Sequence, residues 1–135
     1  MTRFMLDTNV CIDLLRGRTI KVLARMRRYE VDQLLISSVT LAELHYGASR
    51  SARPMHHELL IAQFCAPLAI LPFDERAAEL YGTVRSDLER IGTPIGPLDS
   101  MIASHALSLA ATLVTNNERE FCRVSGLRIE NWQKS

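Results

Sequence analysis

The sequence predicts an α/β domain, a parallel β-sheet covered by helices. Short apolar runs alternate along the chain with longer stretches of helical periodicity, the order expected of such a sheet. The runs stop on polar residues suited to a turn or a helix start, as in "FMLDTN" (Phe4 to Asn9). The 135 residues fit one domain, spanning 1–135, and 47% hydrophobic with 23% charged residues is ordinary globular composition.

The strands are expected at Phe4–Leu6, Leu34–Ser37, Ala69–Pro72, Leu113–Thr115 and Leu127–Glu130. Helices are expected over Val10–Leu15, Ile20–Tyr29, Val39–Ala48, His56–Cys65, Glu75–Ile91 and Pro97–Ala111, with a short turn after Asn117. The stretch "IGTPIGP" (Ile91 to Pro97) breaks two long helices rather than two domains. No repeat, low-complexity stretch or linker interrupts this order.

A net charge of +1 gives no global case for nucleic acid, so any such case rests on local patches. The three cysteines, Cys11, Cys65 and Cys122, lack metal-ligand spacing and read as free thiols of a reducing compartment. No apolar run approaches the roughly 20 residues of a membrane span, and no signal peptide precedes the first strand. A cytoplasmic protein is expected.

Four polar positions then come together by topology. Asp7 ends the first strand. Ser37 and Ser38 end the second, with Ser38 as expected N-cap of the helix carrying Glu43. Pro97 fits the first helical position of its helix, which puts Asp99 in the first turn, and Asn117 follows the strand "TLVT". In a parallel α/β sheet, strand C-termini and helix N-termini share one edge, which is also the ligand-binding edge. Three carboxylates converging there repel one another unless a hard cation such as Mg²⁺ or Mn²⁺ supplies counter-charge and takes their oxygens. Two helix faces agree. Thr40, Glu43 and Gly47 form one stripe with room around the glutamate, and Asp99, Ala103, Ala106 and Ala110 form another that permits close packing. Taken singly, Asp7 could be a turn former or cap, Asp99 a first-turn residue favoured by the helix dipole, and Glu43 a solvated surface residue.

The stretches "FMLDTNVCID", "ISSVTLAELHYGA", "GTPIGPLDSMIASHA", "LVTNNEREF" and "GLRIENW" run through nearly the whole chain in the order of a known family. In them the sequence resembles the PIN-domain family, and within it the VapC-type toxins of bacterial toxin–antitoxin pairs. The resemblance implies a three-layer α/β/α fold and a Mg²⁺- or Mn²⁺-dependent endoribonuclease whose products carry 3′-hydroxyl and 5′-phosphate ends. It makes Asp7, Glu43 and Asp99 the acidic metal-site residues. Asn117 falls where many members have a fourth acid, a departure that weakens any second metal site; Glu120, in "EREF", is near enough in sequence to compensate. Thr8, Asn9, Ser38 and Thr115 look like groups that orient carboxylates or water, although short polar residues also suit strand-to-helix turns. The mechanism implied is metal-assisted hydrolysis of a phosphodiester, with no covalent enzyme intermediate.

Six basic residues lie between Arg16 and Arg28. If Ile20, Leu23 and Met26 face the core, Lys21, Arg25 and Arg28 share another stripe that could contact RNA phosphates, meet a partner or simply be solvated. His105 lies about 240° around its helix from Asp99, with Leu98, Ile102 and Leu109, so a packed, hydrogen-bonded histidine is expected there rather than a general base. His45 is turned from Glu43, His56 and His57 belong to the surface, and Trp132 covers the end of the sheet.

Three other functions compete. An aspartyl-nucleophile phosphatase of the haloacid-dehalogenase kind wants a second Asp two residues after the first, where this chain has Asn9; a receiver domain wants paired acids after the first strand. A non-catalytic module of the same fold, binding only RNA or an antitoxin, has no need of converging anions. The resemblance further implies tRNA as substrate, with the "GTPIGPLD" subgroup similar to toxins acting on the initiator tRNA anticodon region. It also implies a homodimer and a small antitoxin whose C-terminal segment blocks the pocket.

Overall fold

The computed structural model describes residues 1–134. Among these, five parallel strands form one sheet in the order β3-β2-β1-β4-β5: β1 (Phe4–Leu6), β2 (Leu34–Ser37), β3 (Ala69–Leu71), β4 (Thr112–Val114) and β5 (Ile129–Glu130). The helices are α1 (Thr8–Leu15), α2 (Ile20–Met26), α3 (Ser38–Ser49), α4 (Pro54–Cys65), α5 (Glu75–Arg90), α6 (Pro97–Ser108) and the short α7 (Glu118–Phe121).

Alternation along the strands produces two cores. Phe4, Leu6, Leu34, Ile36 and Val114 point to one face, where they meet Val10, Val22, Leu44, Ile61 and Trp132. Met5, Leu35 and Leu113 point to the other, against Val84, Leu88, Ile102, Ala103 and Ala106. Because successive strand side chains point to opposite faces, runs that are apolar throughout are buried on both. The result is the three-layer α/β/α arrangement that the resemblance implied.

The strand and helix expectations hold to within a few residues. The difference at α6 has a physical cause. The helix ends at Ser108, so Ala110 lies beyond it with φ +52°, while the Ala111 N–H reaches back to the Ala106 carbonyl at 2.9 Å. A left-handed residue past a helix terminus turns the chain sharply, here straight into β4. Ala103 and Ala106 of the expected alanine row are buried in the core, and Ala110 is not part of that contact.

Two other expectations are corrected. Ser38 is the first residue of α3, and the N-cap is Ser37, whose Oγ accepts the Val39 N–H at 3.0 Å. On α2, Ile20 is 83% and Leu23 44% exposed; Val22 is buried, with Met26 partly so one turn later. An i, i+4 pair is the narrowest stripe that seats a two-turn helix, and it rotates Ile20 and Leu23 outward.

Candidate functional site

β1 continues to β2 on one side, whereas β4 returns to pair on the other, so the sheet order reverses between β1 and β4. Crevices at such switch points, beyond the strand C-termini, are where open α/β sheets bind ligands. Asp7 follows β1 and Thr115 follows β4, and the Asp7 N–H donates to the Val114 carbonyl at 3.0 Å. Asp7 is 3% exposed. One carboxylate oxygen, Oδ1, accepts the Val10 N–H at 2.9 Å and caps α1; the other, Oδ2, accepts the Thr115 hydroxyl. The capping and ligand readings of Asp7 are therefore compatible, because its two oxygens offer about four acceptor sites and these hydrogen bonds do not fill them all. Burial raises its pKa, and the hydrogen bonds from Thr115, Val10 and Asn9 partly oppose that rise.

Glu43 projects from α3 and accepts the Thr8 hydroxyl at 2.7 Å, while Thr40 Oγ1 lies 3.2 Å from the same hydroxyl. Asp99 stands in the first turn of α6, after Gly96 as N-cap and Pro97. Its pKa is pushed up to about 6, first by burial, then by the charges of Asp7, Glu120 and Glu43. The Asp7, Glu120 and Glu43 carboxylates thus each act on Asp99 through their charge. Among the described residues, no hydrogen-bond donor pairs with the Asp99 carboxylate.

The neighbouring polar groups have distinct jobs. Thr115 donates to Asp7 and accepts the Asn117 N–H at 2.9 Å. Asn117 gives its side-chain amide to Glu120 Oε2 at 3.0 Å, so it acts as a holder of the extra acid. The Ser38 hydroxyl accepts the Phe73 N–H at 2.9 Å and so ties α3 to the chain after β3. Asn9 is exposed, and its backbone N–H helps hold Asp7.

These side chains suit a hard cation by chemistry: oxygen donors only, free lone pairs, and mutual repulsion in its absence. Among the described residues no three of the His, Cys, Asp and Glu side chains already stand as a ligand cage, so a bound ion would have to draw them inward.

The basic segment is partly committed elsewhere. Arg25 donates to the Tyr29 hydroxyl at 3.1 Å and Glu130 at 3.3 Å, and lies 5.5 Å from the Trp132 ring centroid. Lys21 and Arg28 are exposed. Trp132 is buried against Phe4 and Tyr29, as its expected place at the sheet's end requires. His45 pairs with Glu58, and His56 and His57 are exposed. His105 is buried and bonded to Ser37. Sequence reading had left Glu120 open and missed the Asn117–Glu120 and Ser37–His105 pairs; an acid three residues after an asparagine, at the start of a short helix, was the available signal for the first.

Layers, strand order and an acidic cleft at the switch point thus define a three-layer α/β/α domain built to concentrate negative charge. The PIN domain model matches residues 4–127. A tRNA(fMet)-specific endonuclease VapC of Shigella flexneri is 45% identical over 134 residues, covering 98% of this chain and 99% of the relative. Its counterpart in Salmonella typhimurium is 43% identical over 132 residues, with 98% and 99% covered. The crystal structure of DNA-bound VapBC from Salmonella typhimurium superposes with a TM-score of 0.93 at 43% identity, over 98% of this chain and 99% of that one. The chain belongs to the PIN-domain family, among its VapC-type ribonucleases. Among the described residues no helix is long and apolar enough to cross a membrane.

Proposed function

We propose that this chain is the toxin of a type II toxin–antitoxin pair, a Mg²⁺- or Mn²⁺-dependent endoribonuclease acting on tRNA, with the anticodon region of initiator tRNA as target. The single observation that supports the metal-dependent chemistry is that the charges of Asp7, Glu120 and Glu43 all act on the partly buried Asp99, adding to the effect of burial that raises it to about 6. The tRNA target is supported by the relatives named for tRNA(fMet).

Asp7, Asp99 and Glu43, the last directly or through water, would hold the ion, with Glu120 as further acid. When bound, a divalent cation neutralises charge at the phosphodiester and acidifies a water for in-line attack. The chain's own residues do the rest. Thr115 and the Val10 N–H fix the Asp7 carboxylate, Thr8 fixes Glu43, and Asn117 fixes Glu120, so the carboxylates are aimed before substrate arrives. Burial keeps Asp7 dry, where its interaction with a cation is strengthened.

A small antitoxin is the partner, and the solved relatives include VapBC toxin–antitoxin complexes. Exposed Ile20 and Leu23 line an apolar groove with Leu14 and Phe64, which suits the apolar face of such a protein. A homodimer accompanies this reading by family resemblance.

The test is cleavage of initiator tRNA by purified protein, with ends mapped, for wild type, Asp7→Asn, Glu43→Gln and Asp99→Asn. Each variant should fold and lose nearly all cleavage, and wild-type cutting should stop in chelator. Metal-independent cutting, or a fully active variant at limiting metal, would refute the assignment. Binding without cleavage by the wild type would favour a non-catalytic module.

A further inference from the structure

Asp99 and Glu43 stand on different helices, α6 and α3, so their separation depends on how those helices are registered. The part of α6 that enters the core is mostly small: Ser100, Ala103, Ser104 and Ala106 are buried, with Ile102 the one large aliphatic side chain among them. A surface of small side chains permits close approach but has few protrusions to resist sliding or rotation. Something more directional is needed to set the register.

The structure supplies it two turns after Asp99. His105 is 1% exposed, and its Nδ1 lies 2.8 Å from Ser37 Oγ, which is itself fully buried. Ser37 ends β2 and caps α3 by accepting the Val39 N–H. The next residue, Ser38, accepts the Phe73 N–H, and the Phe73 ring stands edge-on to the His105 ring, 5.6 Å between centroids and 83° between planes. The contacts close a ring through His105, Ser37, Ser38 and Phe73. It joins α6 to the first turn of α3, five residues before Glu43. A buried hydrogen bond has a narrow range of distance and angle, so it discriminates between registers that apolar packing treats alike.

We propose that His105 is a positioning residue: by bonding Ser37 it fixes α6 against the start of α3 and so sets the spacing of Asp99 from Glu43. The inference rests on the metal-site reading above. It gives the clasp a mechanical task, because the acids of the pocket repel one another before a cation arrives. Burial lowers the His105 pKa, with the Asp74 charge opposing, so the ring is neutral at pH 7 and can bond the hydroxyl without carrying charge into the core.

The experiment compares His105→Asn, His105→Gln, His105→Leu and Ser37→Ala with wild type. Asparagine can place its amide near the Nδ1 position, whereas glutamine reaches the far side of the ring. Three quantities are read at a temperature where each protein is folded by circular dichroism. They are Mg²⁺ and Mn²⁺ affinity without RNA, by calorimetry, and kcat and KM for tRNA cleavage. His105→Leu, His105→Gln and Ser37→Ala should each weaken cation binding about tenfold and lower kcat by a similar factor, with KM unchanged. His105→Asn should stay within about threefold of wild type. A folded His105→Leu protein with wild-type cation affinity and kcat would overturn the proposal, as would Gln rescuing as well as Asn. Should the ring variants not fold, Ser37→Ala removes the same bond from its other end, and wild-type values there overturn it equally. If the wild type itself binds no cation saturably, the metal-site reading has failed; if it does and every variant matches it, only the role of His105 has.

Discussion

Replacing Asp99 by Asn should stabilise the metal-free protein, and by an amount that depends on pH. The Asp99 pKa rises from 3.8 to about 6, through burial first and then the charges of Asp7, Glu120 and Glu43. Between those values the folded protein holds a proton that the unfolded chain has released, so wild-type stability falls as pH rises through that window and levels off above it. Unscreened, the shift corresponds to roughly 3 kcal/mol. Asp99 is partly exposed, and discounting for solvent screening leaves about 1 kcal/mol. Asparagine keeps the shape and never carries the charge. Urea unfolding in chelator should therefore find Asp99→Asn equal to wild type near pH 4 and about 1 kcal/mol more stable at pH 8. Saturating Mn²⁺ should reverse the order, because only the wild type gains binding free energy from the ion. A difference that does not vary with pH, or a variant less stable than wild type at pH 8 in chelator, would refute the electrostatic account of this pocket.

Ala110→Gly should raise stability by about 0.5–1 kcal/mol, since φ +52° strains any residue with a Cβ and glycine lacks one; the urea midpoint reads this. Thr115→Val should lose about 1–3 kcal/mol, because the Asp7 carboxylate and the Asn117 N–H are both left without their partner. It should also push the Asp7 pKa still higher, visible as a shift in the pH dependence of stability. Asn117→Ala should release the Glu120 carboxylate and raise the Mg²⁺ concentration needed for half-maximal cleavage several-fold, measured by metal titration of the reaction. An unchanged metal requirement would return Asn117 to a plain turn residue.

Much of the fold was legible because its two periodicities are strong. Runs such as Leu34–Ile36 are apolar at every position, which only burial on both faces explains, and the edge shared by Asp7, Glu43 and Asp99 follows from parallel topology alone. The failures are of a different kind. Whether Ser37 or Ser38 caps α3 turns on one residue of backbone geometry, and both residue types suit the role. The outward rotation of Ile20 and Leu23 follows from how a two-turn helix seats Val22 and Met26 on the core, information held in the packing and absent from local periodicity. Glu120 is held by a hydrogen bond from Asn117, and side-chain pairs of that kind leave only a faint trace in spacing.

The central position of β1 bears on how the protein is made. Asp7 is synthesised well before the residue whose hydroxyl orients it, Thr115, which lies 108 residues later. β1 pairs with β2 on one side early in synthesis, but its other side waits for β4. At about 5–20 residues per second, several seconds separate the two events. Through that interval Asp7 and Glu43 are synthesised, but the cleft still lacks β4 and Thr115. In this order of synthesis the long-range pairing of β1 with β4 makes completion of the cleft one of the last steps of folding.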